Sequence, residues 1–227
     1  MSMLDNAVWH ALQGPDQAFA QRIGGAQRFD PAVAPFAALP DVASPTDWGD
    51  LARLVGPRGI AVLFQREAVI PAGWKLEVRF RGVQMIHRET QELDPIELVE
   101  LGRQDVPEML ALVARTRPGP FSERTIELGR YVGVRRDGAL VAMAGHRLRL
   151  PGFVEISAVC TDHGHRHQGL GAGLVRSLVA GIRAGGDVPM LHVLDSNVVA
   201  IRLYESLGFD VRCAIDGMVL EAPATSG

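Results

Sequence analysis

Apolar residues along this chain recur in two spacings, and the change from one to the other marks out the elements. Residues 5–22 carry a helical pattern interrupted at Gly14-Pro15, and three prolines punctuate residues 31–40, which excludes a continuous helix there. Ser44 or Thr46 caps an expected helix through Trp48, Leu51, Leu54 and Val55, closed by Gly56-Pro57. The run GIAVLF at 59–64 reads as a buried strand, and residues 74–86 alternate well enough for another.

After a polar break at 90–94 the pattern becomes regular. Residues 96–101 alternate as a strand. Residues 104–115 place Val106, Met109, Leu110 and Val113 on one helical face, and a short helix is expected at 122–128. Strands at 131–135 and 139–150 are joined by Asp137-Gly138, a hairpin signal, and Pro151-Gly152 turns the chain into a strand at 153–161. A helix at 170–183 carries Leu174, Leu178 and Ile182 in an i+4 stripe and stops at Gly185-Gly186. A strand at 189–194, a helix at 196–207 and strands at 210–214 and 218–221 complete the order. The class is α/β, with three antiparallel strands over 131–161.

Composition narrows the function. With 227 residues, 47% of them hydrophobic, the chain can bury a sizeable core as one large domain or two small ones. No apolar run approaches the ~18 residues of a membrane span, and the first residues have neither a basic region nor a long apolar one, so a cytoplasmic location is expected. The formal charge of −3, with Lys and Arg scattered, leaves no footprint for nucleic acid or an anionic membrane. Cys160 and Cys213 are too few for a disulfide framework and are expected as buried free thiols.

The informative stretch is 155–172, EISAVCTDHGHRHQGLGA, a strand leading into Arg166-x-x-Gly169-x-Gly171 and then a helix. Residues lacking Cβ let backbone N–H groups converge at a helix N-terminus, where a phosphate is favoured. The Walker spacing is absent, and the dinucleotide fingerprint would need an acid closing the next strand, where this chain has His192 and Leu194-Asp195-Ser196. Alternating His163, His165 and His167 suggest a metal, but no Cys or Glu completes a ligand spacing, so no metal is expected.

Together, EISAVCT, the loop Arg166-His167-Gln168-Gly169-Leu170-Gly171-Ala172, LHVLDSN and AIRLYESLGF resemble the GNAT superfamily of N-acetyltransferases, in the branch that looks like FR47-type and glycine N-acyltransferase-like proteins. The resemblance covers about 96–221. It implies a GNAT domain over 93–227, with a mixed, mostly antiparallel central sheet flanked by helices, and leaves 1–92 as an N-terminal α/β segment of unassigned role, with a degenerate half-copy of the same layer as one option. It also implies acetyl-CoA, or another short acyl-CoA, as co-substrate. The acceptor would be a primary amine of a small molecule, amino acid or peptide, attacked directly within a ternary complex. The alternative is a CoA-binding or regulatory module without turnover. A homodimer is compatible with either.

By the same resemblance, Val159, Cys160 and Thr161 would pair with the pantetheine arm, and Arg166, His167, Gln168, Gly169, Leu170, Gly171 and Ala172 would hold the pyrophosphate. His167-Gln168 stand where Gly and Arg are frequent, which removes a positive charge. An amine with a pKa of ~10 must lose a proton, and the departing thiolate must gain one. Glu155 is the leading base, directly or through water, unless it only pairs with Arg147 or Arg149. His192 is a second base or a relay. Tyr204 would be the acid and also contact the cofactor. Asn197, two helical turns before Tyr204, would bond the pantetheine or simply cap its helix.

Overall fold

The alternating and helical stretches after residue 97 fold largely where their spacing places them. The computed structural model describes residues 2–64, 69–88 and 97–224. Its strands are β1 (Ala20–Ile23), β2 (Ala26–Phe29), β3 (Phe36–Ala38), β4 (Ile60–Phe64), β5 (Lys75–His87), β6 (Val99–Glu100), β7 (Tyr131–Arg136), β8 (Ala139–Leu150), β9 (Phe153–Thr161), β10 (Val188–Leu194) and β11 (Phe209–Glu221). The helices are α1 (Ala7–Gln13), α2 (Pro45–Val55), α3 (Val106–Thr116), α4 (Leu170–Ala184) and α5 (Val198–Ser206). All these strands join one sheet in the order β1-β2-β3-β4-β11-β5-β10-β9-β8-β7-β6.

That order contains an exchange. In β2-β3-α2-β4, an antiparallel pair is followed by a parallel pair joined through a crossover helix, and β8-β9-α4-β10 repeats the same pairing. The last strand of each unit then pairs with the other unit: β5 lies against β10, and β11 against β4. The two exchanged strands pair with each other from Phe209↔His87 to Glu221↔Lys75. Residues 26–64 thus share the strand-strand-helix-strand order of β8, β9, α4 and β10. The boundary expected at residue 92 lies outside the described residues, and strands from before and after it share the sheet.

Strand alternation assigns the faces. Leu63 packs with Leu51 of α2, and Met85 and Leu191 with Leu174 of α4. Their neighbours Ile86 and Met190 turn to the opposite face and pack with Val8 and Leu12 of α1. Because α1 touches β3 and also β8, strands far apart in the sheet order, the sheet curls around it. Asp16, fully buried, ties this face by accepting from Arg149 N at 2.8 Å and Arg149 Nε at 2.7 Å.

Several local expectations change. The helix expected at 5–22 ends at Gln13, because Gly14-Pro15 stops it and residues 20–23 pair with 26–29 across Gly24-Gly25. Gly24 has φ +49, and a Cβ there would lie 1.9 Å from the Asp50 carboxylate. The strand expected at 96–101 is reduced to Val99–Glu100 among the described residues, residue 96 lying outside them, and the helix at 122–128 is a 3-10 turn over Thr125–Leu128. The two strands expected at 210–214 and 218–221 are one, β11, continuous because Gly217 lets the Phe80 ring lie across it. Cys160 is buried, but Cys213 is only half-buried. Among the described residues no helix is long and apolar enough to cross a membrane.

Candidate active site

β9 and β10 run parallel for three residue pairs only, ending at Met190↔Glu155. Beyond that point β9 pairs with β8 alone and β10 with β5 alone. The parting leaves one edge of β9, the edge that includes Val159, Cys160 and Thr161, without a strand partner. Ala158 interrupts the β8–β9 register between Ser157 and Cys160, and its φ of +53 is unusual for a residue with a Cβ. The Cys160 side chain points into the core beneath α3, where burial pushes its thiol up to about 11.

The chain then enters the glycine loop. Asp162 accepts from Gly164 N at 3.2 Å and pairs with Arg115 Nε at 2.9 Å, while His163 Nε2 bonds the Arg115 carbonyl at 3.1 Å, so the loop is pinned to α3. His167 (φ +62) and Gly169 (φ +75) alternate with Gln168, the backbone pattern that turns successive N–H groups toward one point. Gly169 caps α4 without a side-chain acceptor, so the N–H groups of Leu170, Gly171 and Ala172 have no cap. A Cβ on Gly171 would meet nothing closer than 3.9 Å. The fold's own packing therefore does not require glycine there, whereas close approach of a pyrophosphate would. These features fit a CoA pyrophosphate, with Arg166, exposed beside them, as the nearest cation of the loop.

Glu155 and His192 project from the parted strands to the same face. His192 Nδ1 lies 2.7 Å from Glu155 Oε1. Arg147 Nε donates to Glu155 Oε2 at 2.9 Å, and Arg147 Nη2 donates to Oε1. Burial opposes the Glu155 charge, but Arg147 and then His192 outweigh it and hold the carboxyl near 2. Arg149, the other partner considered for Glu155, is committed to Asp16.

On its far side, His192 Nε2 stands 2.9 Å from Gln84 Nε2. The Gln84 amide orientation is fixed twice: its nitrogen donates to Leu4 O at 2.9 Å, and its oxygen accepts from Arg212 Nη1 at 2.9 Å. Arg212 in turn bonds Asp5 at 2.6 Å. The network thus assigns His192 an Nδ1–H toward Glu155 and an accepting Nε2. Beside it lies a cavity of about 20 Å³, lined in part by Leu4, Asp5, Gln84 and His192, which is room for one water.

Tyr204 stands in α5, on the opposite face, with its ring 6.0 Å from that of Phe209 and its hydroxyl pushed up to about 12 by burial. Arg147 acts on it electrostatically and opposes that rise. Asn197 caps α5, its side-chain oxygen accepting from Ala200 N at 3.2 Å. Sequence reasoning missed Gln84 and Arg212 and gave Arg147 only as a pairing option. The available signal was Gln84 itself, a polar residue between Val83 and Met85 in an otherwise apolar end of β5.

A family model described as FR47-like protein matches residues 131–215. A crystal structure from Novosphingobium aromaticivorans, assigned to the GNAT acetyltransferase family, is similar with a TM-score of 0.90 and 41% identity, covering 98% of this chain and 99% of that one. A GCN5-related N-acetyltransferase from Kribbella flavida has a TM-score of 0.63 at 19% identity, over 96% of this chain and 95% of that one. A GCN5-related N-acetyltransferase-like protein from Streptococcus suis has 0.58 at 16%, over 95% and 92%. The last two share the fold. No curated protein matches the chain.

Proposed function

This chain belongs to the GNAT family of acetyltransferases, and from that premise we propose that it transfers an acetyl or other short acyl group from acyl-CoA to a primary amine by direct attack in a ternary complex. The observation that carries this reading is the His192–Glu155 contact at the point where β9 and β10 part. Bound acyl-CoA supplies the activated thioester carbonyl. Residues 166–172 hold its pyrophosphate, and the free edge of β9 around Val159 offers backbone donors to the carbonyl oxygen, where negative charge develops.

His192 Nε2 takes the amine proton. Glu155 is the positioning residue: it fixes Nδ1–H and stabilises the charge that the ring acquires. A carboxylate held near 2 is itself a weak proton acceptor, so the base role shifts from Glu155 to His192. The amine, or a water in the adjoining cavity, takes the place of the Gln84 N–H at Nε2. Tyr204 keeps its proton through neutral pH and gives it to the departing sulfur.

A second reading, CoA binding without turnover, draws on the 8% exposure of the His192 side chain. The discriminating measurement is free-thiol release from acetyl-CoA with and without a panel of amines. Amine-dependent release lost in His192→Ala supports transfer. Saturable CoA binding with no such release, and no effect of His192→Ala or Tyr204→Phe, would leave the binding module.

A further inference from the structure

We propose that the acceptor is an amine carrying an extended apolar or aromatic group, which lies along a strip of the curled sheet left largely open by the described residues and points its nitrogen at His192. This rests on the acyltransferase reading above. The strip belongs to β4, β11 and β5. Register places Phe80, Gly217 and Phe64 in one row and Val78, Val219 and Val62 in the next, on the face that carries Gln84 and His192. Ile215, paired with Gly82, fills the step between these rows and Gln84.

The strip is continuous with the site. Phe64 stacks on the His192 ring at 5.7 Å and 24°, and Phe80 meets Phe64 edge-on at 5.7 Å and 78°. Glycine makes the surface low: a Cβ on Gly217 would lie 2.1 Å from the Phe80 ring. Of the helices of this face, α1 packs chiefly over β2, β3 and β8, with Val62 and Phe64 at the margin of its apolar cluster, and α3 packs over β8 and β9; Leu4, Asp5 and Ala7 reach the strip only at its His192 end, beside Phe64 and Ile215. Val78 is consequently 51% exposed, and Val62, Phe64, Phe80, Ile215 and Val219 are each half-buried.

Charge decides the class of occupant. Arg79 and Arg81 of β5 turn to the other face, toward Met218 and Asp216. Beyond the Arg212–Asp5 pair, alternation puts no charged side chain of these strands on the strip until its far end, where Lys75, Glu77 and Glu221 lie. Among the described residues, a polyamine or basic peptide would find no counter-charge on the rows of Phe80 and Val78, and its charges would lose water there without compensation. An apolar group gains there, and the aromatic rows favour a flat one.

The test is acetyl-CoA thiol release with ethylamine, hexylamine, 2-phenylethylamine, lysine and spermidine. The expected result is a kcat/KM at least ~10-fold higher for 2-phenylethylamine than for ethylamine, the size of effect that a few buried methylenes produce. Phe80→Ser should erase that gain and leave ethylamine turnover and the acetyl-CoA KM unchanged. Val78→Asp, at a half-exposed position, should do the same if Phe80→Ser folds poorly. A flat profile, or a preference for lysine or spermidine, overturns the inference and leaves the acyltransferase reading standing. Release with none of the amines overturns both. A wild-type dimer that either variant dissociates in sedimentation would make the strip an interface between copies, and also overturns it.

Discussion

His192 Nδ1 and Glu155 Oε1 meet at 2.7 Å across two strands whose pairing ends at Glu155 itself. The imidazole is thereby held on a rigid strand beside the free edge of β9. His192→Ala should lower kcat by about 100-fold, the scale of one general-base contribution. Glu155→Gln keeps an acceptor for Nδ1–H but removes the charge that stabilises the imidazolium, so it should lower kcat and move the acidic limb of the kcat/KM profile to lower pH. Profiles of the two variants check this. An unchanged acidic limb in Glu155→Gln would remove Glu155 from the positioning role.

The pair that Glu155 makes with Arg147 sets a stability prediction. Both are buried, so removing one partner strands the other. Arg147→Met should cost about 3–5 kcal/mol in urea unfolding, and Arg147→Met combined with Glu155→Gln clearly less than the sum of the singles. The Glu155 carboxyl is held near 2, below its ordinary 4.5. Its contribution is therefore complete above pH 4.5 and is lost as pH falls from there toward 2. Glu155→Gln should flatten that limb of the acid-unfolding curve.

His146 gives a second pH signature. Its Nε2 is buried with no hydrogen-bond partner among the described residues, and burial, with help from Arg130 and Arg149, pulls its pKa down to about 4. The unfolded chain takes up this proton first, near 6.5, so stability is lost as pH falls from 6.5 to 4. Asp16 acts oppositely, raised by burial to about 6, and gains stability as pH falls toward 3.8. Asp16 is common to wild type and His146→Gln and cancels in their comparison. The variant's Tm should improve relative to wild type as pH is lowered through that window.

Gly171 separates folding from ligand binding. A methyl group there meets only ordinary contacts, and glycine inside a helix is unfavourable by roughly 0.5–1 kcal/mol relative to alanine. Gly171→Ala should therefore raise Tm while raising the acetyl-CoA KM about 10-fold or more, as expected for a blocked phosphate approach. A variant more stable and unimpaired in KM would show that the loop does not hold the pyrophosphate.

Much of the candidate site was legible because it is local. The loop spacing, the strand before it and the Tyr204 helix are contiguous motifs, and the structure brings Glu155 and His192 together from neighbouring strands. What stayed hidden depends on distant partners. Gln84 looks like a solvent-facing strand residue until Leu4, Arg212 and His192 are placed around it from three other parts of the chain. The hairpin of β1 and β2 is a different case, since AQRI-GG-AQRF carries a Gly-Gly turn signal that the helical periodicity of the residues before it outweighed. The pairing of β5 with β11 leaves no local trace, because antiparallel alternation fits any neighbour equally well.

Because β5 and β11 are exchanged, neither unit can satisfy its own sheet. A chain cut between Arg88 and Glu97 would yield two pieces, one whose β4 lacks its neighbour β11 and one whose β10 lacks its neighbour β5. Each open edge offers the hydrogen-bonding row that the other piece fills. Two separately produced fragments should therefore be sticky and inactive alone and recover thiol release when mixed. The molecule is, in effect, a self-complementing pair whose two members happen to be made as one polypeptide.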